Sequence, residues 1–291
     1  MSGTYRGTYL KAATVFVAAI VALAAVLGAG VKSASAAEWS DTSIGWRYGT
    51  KFGEPFETND IHKNIIDFQH ASGYKYGVNF FNVDLLMSDK KDPAAGGEGA
   101  QEAYIVYRNT VNLSKITGSE YKWGIIRDVG ATAGFDWNTK NDIGYSSKKR
   151  MLVAGPTIMM DVPGFLNVSV LALWESNAPV GISERYTYDT HAMLDLTWGI
   201  PIGSSPFSFQ GYFDIIAPKG KDEFGGDTAT ETHFDVAIMM DVGKVLGGPK
   251  DTFKVGLEYE YWKNKFGNDH NGPAGDGAFA KTPMIRAEYH F

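Results

Sequence analysis

Phe253-Lys254-Val255-Gly256-Leu257-Glu258-Tyr259-Glu260-Tyr261 decides the fold of this chain. Its odd-numbered residues are apolar or aromatic, and its even-numbered ones are charged or glycine. Successive side chains of an extended strand point to opposite faces, so this period of two turns one face to an apolar medium and the other to water. Helical spacing fits none of it. Working outward, Phe234, Val236, Ile238 and Met240 alternate with His233, Asp235 and Asp241. Leu194, Leu196, Trp198 and Ile200 alternate with Asp195 and Thr197, and Leu166, Val168, Val170 and Trp174 with Asn167, Ser169 and Glu175. The last residues repeat the pattern: Ile285, Ala287 and Tyr289 oppose Arg286, Glu288 and His290, and the chain closes on Phe291. A terminal aromatic on such a strand suits a bacterial outer-membrane barrel and also the last strand of a soluble sandwich.

The connections choose between them. Twelve alternating segments fall at about 42–52, 61–71, 74–86, 102–111, 123–137, 150–162, 165–176, 188–200, 207–217, 232–242, 253–266 and 282–291. The gaps after the odd-numbered segments, 53–60, 87–101, 138–149, 177–187, 218–231 and 267–281, are long and polar. Several of the others are tight, at Ser72-Gly73, Pro163-Gly164 and Pro201 to Pro206. Two are longer, 112–122 and 243–252, and the first has room for a helical turn. Long loops on one side, short turns on the other and an even strand count are the layout of a transmembrane barrel. The fold class is therefore all-β, a twelve-stranded antiparallel transmembrane β-barrel. Two places break the pattern: Ile65-Ile66 occupies both faces, and Arg127 shares a face with Val129 and Phe135. A β-bulge is the expected remedy.

Residues 1–37 read as a cleaved secretory signal, with Arg6 and Lys11 ahead of an apolar run to Gly30 and a small-residue exit at Ala34-Ser35-Ala36. The barrel is then 38–291. Loss of Arg6, Lys11 and Lys32 takes the formal charge from -6 to -9. An acidic chain lacks the basic face that nucleic acid requires. It has no cysteine, so no disulfide supports it. One domain rich in Tyr, Phe and Trp suits a single barrel better than two small folds.

Barrels of about eight strands are filled by side chains and those of 16 to 18 are open, so twelve predicts a narrow passage that a solute must touch. The inward faces are expected to carry Arg47, Lys51, Glu102, Arg108, Asp161, Glu175, Asp195, Asp214, Asp235, Glu258, Glu260, Arg286, Glu288 and His290, with Tyr212 and Trp262. Read one by one these are ordinary polar filling. As a set, charges mixed with aromatics suit a neutral solute with a flat ring and several hydroxyls, because bases stack on aromatic faces and carboxylates accept from sugar hydroxyls.

Thr50-Lys51-Phe52-Gly53, followed by Asn59-Asp60 at the next strand, resembles the Tsx-like nucleoside-specific outer-membrane channels. Tyr121-Lys122-Trp123 leading into Gly134-Phe135-Asp136-Trp137 sits where that family has aromatic-rich strands. The resemblance implies a monomeric twelve-stranded barrel passing nucleosides by diffusion, and it places Phe52 at the nucleoside, flanked by Lys51 and Gly53. Strict alternation from Ile44 and Trp46 instead puts Phe52 on the lipid side. Either a bulge turns it inward near the rim or it belongs to an aromatic girdle. Lumen parity alone nominates Arg47, Tyr212, Glu258, Trp262, Arg286 and Glu288 as further substrate-binding residues. The expected surroundings are outer-membrane lipid and lipopolysaccharide.

The alternatives are a weakly selective small-solute porin and an outer-membrane hydrolase. The latter needs a rim cluster, for which Ser146, Asp189 and His191 are the nearest residues, without a recognisable arrangement. No nucleophile elbow is present and the histidines lack metal spacing, so no catalytic residue, metal or cofactor is predicted. Lys148-Lys149-Arg150 reads as a solvated charge run or as a contact for lipopolysaccharide phosphates.

Overall fold

The computed structural model describes residues 37–291, so the predicted signal, apart from Ala37, lies outside the described residues. The strands are β1 Ala37–Phe52, β2 Ile61–Tyr74, β3 Gly77–Ser88, β4 Gln101–Asn112, β5 Ile126–Lys140, β6 Arg150–Met160, β7 Phe165–Asn177, β8 Tyr186–Thr187, β9 His191–Pro201, β10 Phe207–Ile216, β11 Glu231–Asp241, β12 Phe253–Lys263 and β13 Phe279–His290. β8 is a two-residue strand hooked on the end of β7, pairing Thr187 with Ser176. The other twelve are the predicted segments, with only their ends moved. They pair antiparallel in the order β6-β5-β4-β3-β2-β1-β13-β12-β11-β10-β9-β7, and a β6–β7 ladder from Arg150↔Ser176 to Met159↔Asn167 closes the ring. Closure leaves no sheet edge unpaired, the condition for crossing a bilayer with strands. No helix among the described residues is long and apolar enough to cross.

The two rims differ as expected. One carries the long connections; the other carries tight turns and two single-turn helices, α1 Leu113–Thr117 and α2 Val242–Leu246. Asp241 caps α2, accepting from the Lys244 amide, and also receives the Asp251 amide, which pins the whole 242–252 connection.

Sidedness follows the alternation. Leu257 is 70% exposed while its neighbour Glu258 is 3% exposed. Leu152, Val170, Ile238 and Ile285 are likewise exposed, whereas Asp67, Thr157, Ser169 and Thr282 are buried. Such an inverted pattern is stable only when the outward medium is hydrocarbon. Of the two breaks in the pattern only the second is a bulge; at Ile65-Ile66 the ladder to β3 is continuous. Ile65 faces in and Ile66 out, level with Leu86 and Leu85 of β3. In β5 the register slips between Ile126 and Asp128, so Arg127 is the extra residue of a bulge and donates to Gly164 O at 3.3 Å.

Candidate functional site

The site is the lumen, and its outer end is built around Phe52. The β1–β13 ladder runs only to Gly49↔Met284; beyond it, Thr282 Oγ1 donates to Lys51 O at 2.8 Å. Released from strict register, Phe52 turns inward and is buried against Ile61, Ile65 and Met284, with Lys63 Nζ 5.5 Å from its ring centre. The expectation that strict alternation leaves it on the lipid side is thereby corrected. The same switch corrects Lys51, which is exposed rather than inward. Lys51 lies in a groove of about 250 Å³ with Gly53, Asn59, Asp60 and Asp276, which brings Lys51 and Gly53 beside Asn59 and Asp60 at the rim. Gly53 is required there: a Cβ would sit 2.7 Å from Gly277 O, where the 264–278 loop crosses.

Below the long loops lies a shell of lysines and carboxylates. Lys63 Nζ donates to Glu54 Oε1 at 2.5 Å, Lys265 reaches the same oxygen at 3.3 Å, and Lys140 lies 3.4 Å from Glu54 Oε2 and 3.0 Å from Asp92. Glu54 belongs to the connection after β1, Lys265 to the one after β12 and Lys140 to β5, so the shell ties separate walls together across the mouth. Burial alone would raise the Glu54 carboxyl, but Lys265, Lys63 and Lys140 hold it well below the usual carboxylate range. A second shell centres on Glu175, with Lys219 at 2.8 Å and Lys149 at 3.3 Å. Burial and the neighbouring Lys219 push the Lys149 ammonium down. Above it, Tyr145 and Tyr188 both donate to Glu223, joining three loops.

Deeper in, charge balance changes. Arg47 reaches Asp84 at 2.5 Å, Glu258 at 3.3 Å and Asp67 at 3.5 Å; Arg286 holds Glu258 at 2.9 Å and Glu288 at 2.6 Å. On the far wall Arg108 pairs with Asp136, which also accepts from Tyr104 Oη at 2.8 Å. Asp195 stands opposite Asp214 and Asp235 opposite Glu260 in their ladders. Carboxylates thus greatly outnumber guanidiniums at this level, and like charges directly opposite one another repel. Gly45 admits this crowding, since a Cβ there would lie 2.3 Å from Asp67 Oδ1.

Beside the acids is an aromatic step. His233 stacks on Trp262 with ring centres 3.9 Å apart, and Tyr212 meets His233 edge-on at 4.9 Å. Trp262 Nε1 donates to Glu231 at 2.6 Å, Phe266 abuts the indole, and His233 Nε2 lies 3.3 Å from Glu260.

The structure therefore collects Arg47, Glu258, Arg286 and Glu288 into one network, places Tyr212 and Trp262 together in a second, and sets Phe52 at the mouth. Asp161, expected in the lumen, is instead on the turn rim, exposed and paired with Lys122 at 2.6 Å. Sequence reading missed Lys63, Lys140, Lys219 and Lys265, whose roles depend on loops folding inward. It also missed His233 as a stacking partner, although its place opposite Trp262 follows from the β11–β12 register. A further omission is an apolar lumen patch of Val153, Leu171, Leu173 and Met193. The signal for it was the run Val170-Leu171-Ala172-Leu173-Trp174, which is apolar on both faces. The hydrolase candidates do not converge: Ser146 Oγ donates to Lys140 O, and His191 faces Asp189 O and Glu175.

No family model and no curated protein matches this chain. Among solved structures it is similar to KdgM porin, with 10% identity and a TM-score of 0.43 over 86% of this chain and 99% of that one. The outer-membrane protein OpdK of Pseudomonas aeruginosa gives 10% identity and 0.25 over 88% and 99%. OprB of Pseudomonas putida gives 7% identity and 0.31 over 88% and 94%. Scores of this size leave the assignment to the barrel's own pairing and surface. A closed antiparallel ring of twelve strands, apolar outside and charged within, with loops sorted by rim, is a barrel of the bacterial outer membrane.

Proposed function

We propose that this barrel is a passive channel for small neutral solutes with a flat ring and hydroxyls, nucleosides foremost. The observation that carries the reading is the Trp262–His233–Tyr212 step set between Glu231 and Glu260 in the lumen wall. Aromatic faces of this kind attract a base, worth about 1–3 kcal/mol per stacked ring. The carboxylates beside them accept hydrogen bonds from sugar hydroxyls. The carboxyl groups of Asp214, Asp235 and Glu260 offer a phosphate no cationic partner, which supports nucleosides over their phosphates. Close side-chain filling, with Lys63, Asp67 and Glu258 all buried, supports a selective passage over a wide one. The resemblance of Thr50 to Gly53 to the nucleoside-specific channels points the same way, now with Phe52 facing in.

Permeation into proteoliposomes tests this. Uridine and adenosine are expected to enter faster than glucose by about tenfold, the factor that roughly 1.4 kcal/mol of stacking supplies, and faster than AMP by more. Equal entry of nucleosides, sugars and amino acids would replace the reading with a weakly selective porin.

A further inference from the structure

The run Lys148-Lys149-Arg150 is split by the barrel wall. Lys149 turns inward over the Phe266 ring, 4.0 Å from its centre, while Lys148 and Arg150 remain exposed outside. Outside, they line a cavity of about 300 Å³ with Arg185, Trp137, Ile105 and Ala103. Its floor follows from the ladders: Ile105 pairs with Trp137, and Trp137 with Arg150, three neighbours in adjacent strands on the lipid-facing side. Arg185 is fixed at its edge, donating to Lys148 O at 2.8 Å and to Ser176 Oγ at 3.4 Å.

No carboxylate lines this cavity, and among the described residues none of Lys148, Arg150 and Arg185 is in an ion pair. Three cations drawn together without a counter-anion repel one another, a cost that a bound anion removes. The lysines that turn inward at this rim, Lys63, Lys140 and Lys219, are by contrast neutralised by Glu54, Asp92 and Glu175. The height of the groove is also defined. It lies where β5 and β6 meet the long connection 141–149, on the rim that faces outside in such barrels, with Trp137 half exposed at the bilayer boundary.

We infer that this groove binds the phosphate of a phosphorylated glycolipid in the outer leaflet. The two guanidiniums supply the forked donors that phosphate oxygens accept, and Lys148 adds a point charge. Trp137 and Ile105, level with Arg150 on the lipid-facing side, give the groove an apolar floor against which the acyl chains of the same molecule lie. That apolar floor favours a lipid over free phosphate.

Native mass spectrometry and thermal unfolding of the detergent-solubilised full chain test the inference. Diphosphoryl lipid A is expected to bind and raise the unfolding temperature. Dephosphorylated lipid A is expected to bind at least about tenfold more weakly, as is a variant carrying Arg150→Gln and Arg185→Gln. Equal affinity for the two lipids would overturn the site, and this comparison uses the unmodified protein, so it stands whether or not the variant folds. Equal lipid binding by a folded double variant would overturn it too. Inorganic phosphate that displaces the lipid at matching concentration would make it a free-anion site and contradict the lipid assignment.

Discussion

Phe52 sits where wall and passage meet, packed on Ile61, Ile65 and Met284 with a lysine over its ring. Phe52→Ala removes a buried aromatic and is expected to cost about 3–5 kcal/mol of stability while weakening nucleoside block. Unfolding in urea beside block measurements checks both, and a loss of neither would remove Phe52 from the lumen. Leu257 shows the opposite environment at single-residue scale. Leu257→Arg places a charge against acyl chains at a cost of about 2–4 kcal/mol, readable as loss of the heat-modifiable folded band. Leu257 was legible in the sequence, because alternation is a property of the local backbone. Phe52 was not, because its facing depends on where the ladder to β13 stops, more than two hundred residues along the chain.

At the scale of elements, strand positions and loop parity were readable from turn residues and hydrophobic period, and even the β5 bulge announced itself through the misplaced Arg127. What the loops do was hidden, since Glu54, Lys140 and Lys265 join three connections and strands far apart in sequence. Their closure gives a pH prediction. Lys265, Lys63 and Lys140 depress the folded Glu54 carboxyl below its ordinary value of 4.5 despite its burial. The stabilisation is therefore fully present above 4.5 and is lost as pH falls through the depressed value. Amide protection factors in 53–60 and 264–278, taken relative to the intrinsic exchange rate at each pH, should stay high from around pH 5 upward and fall only in stronger acid. A fall in protection factor on going from pH 7 to 5 would contradict the Glu54 shell. On the other rim, Asp241→Ala removes the cap of α2 and should cost about 0.5–2 kcal/mol, measured by urea unfolding.

For the whole molecule, a ring of twelve strands encloses a lumen lined by buried charged and aromatic side chains. The lumen is acidic at its middle, aromatic at one wall and bridged by lysine–carboxylate shells at its mouth. On the proposed reading a solute crosses only by exchanging contacts with these groups, which would link the patterning of single strands to selection among solutes. Single-channel recording in a planar bilayer tests that claim most directly. The account predicts a small conductance that nucleosides reduce in a concentration-dependent way and glucose leaves unchanged. A conductance indifferent to both, or a barrel that inserts and passes no current, would contradict it.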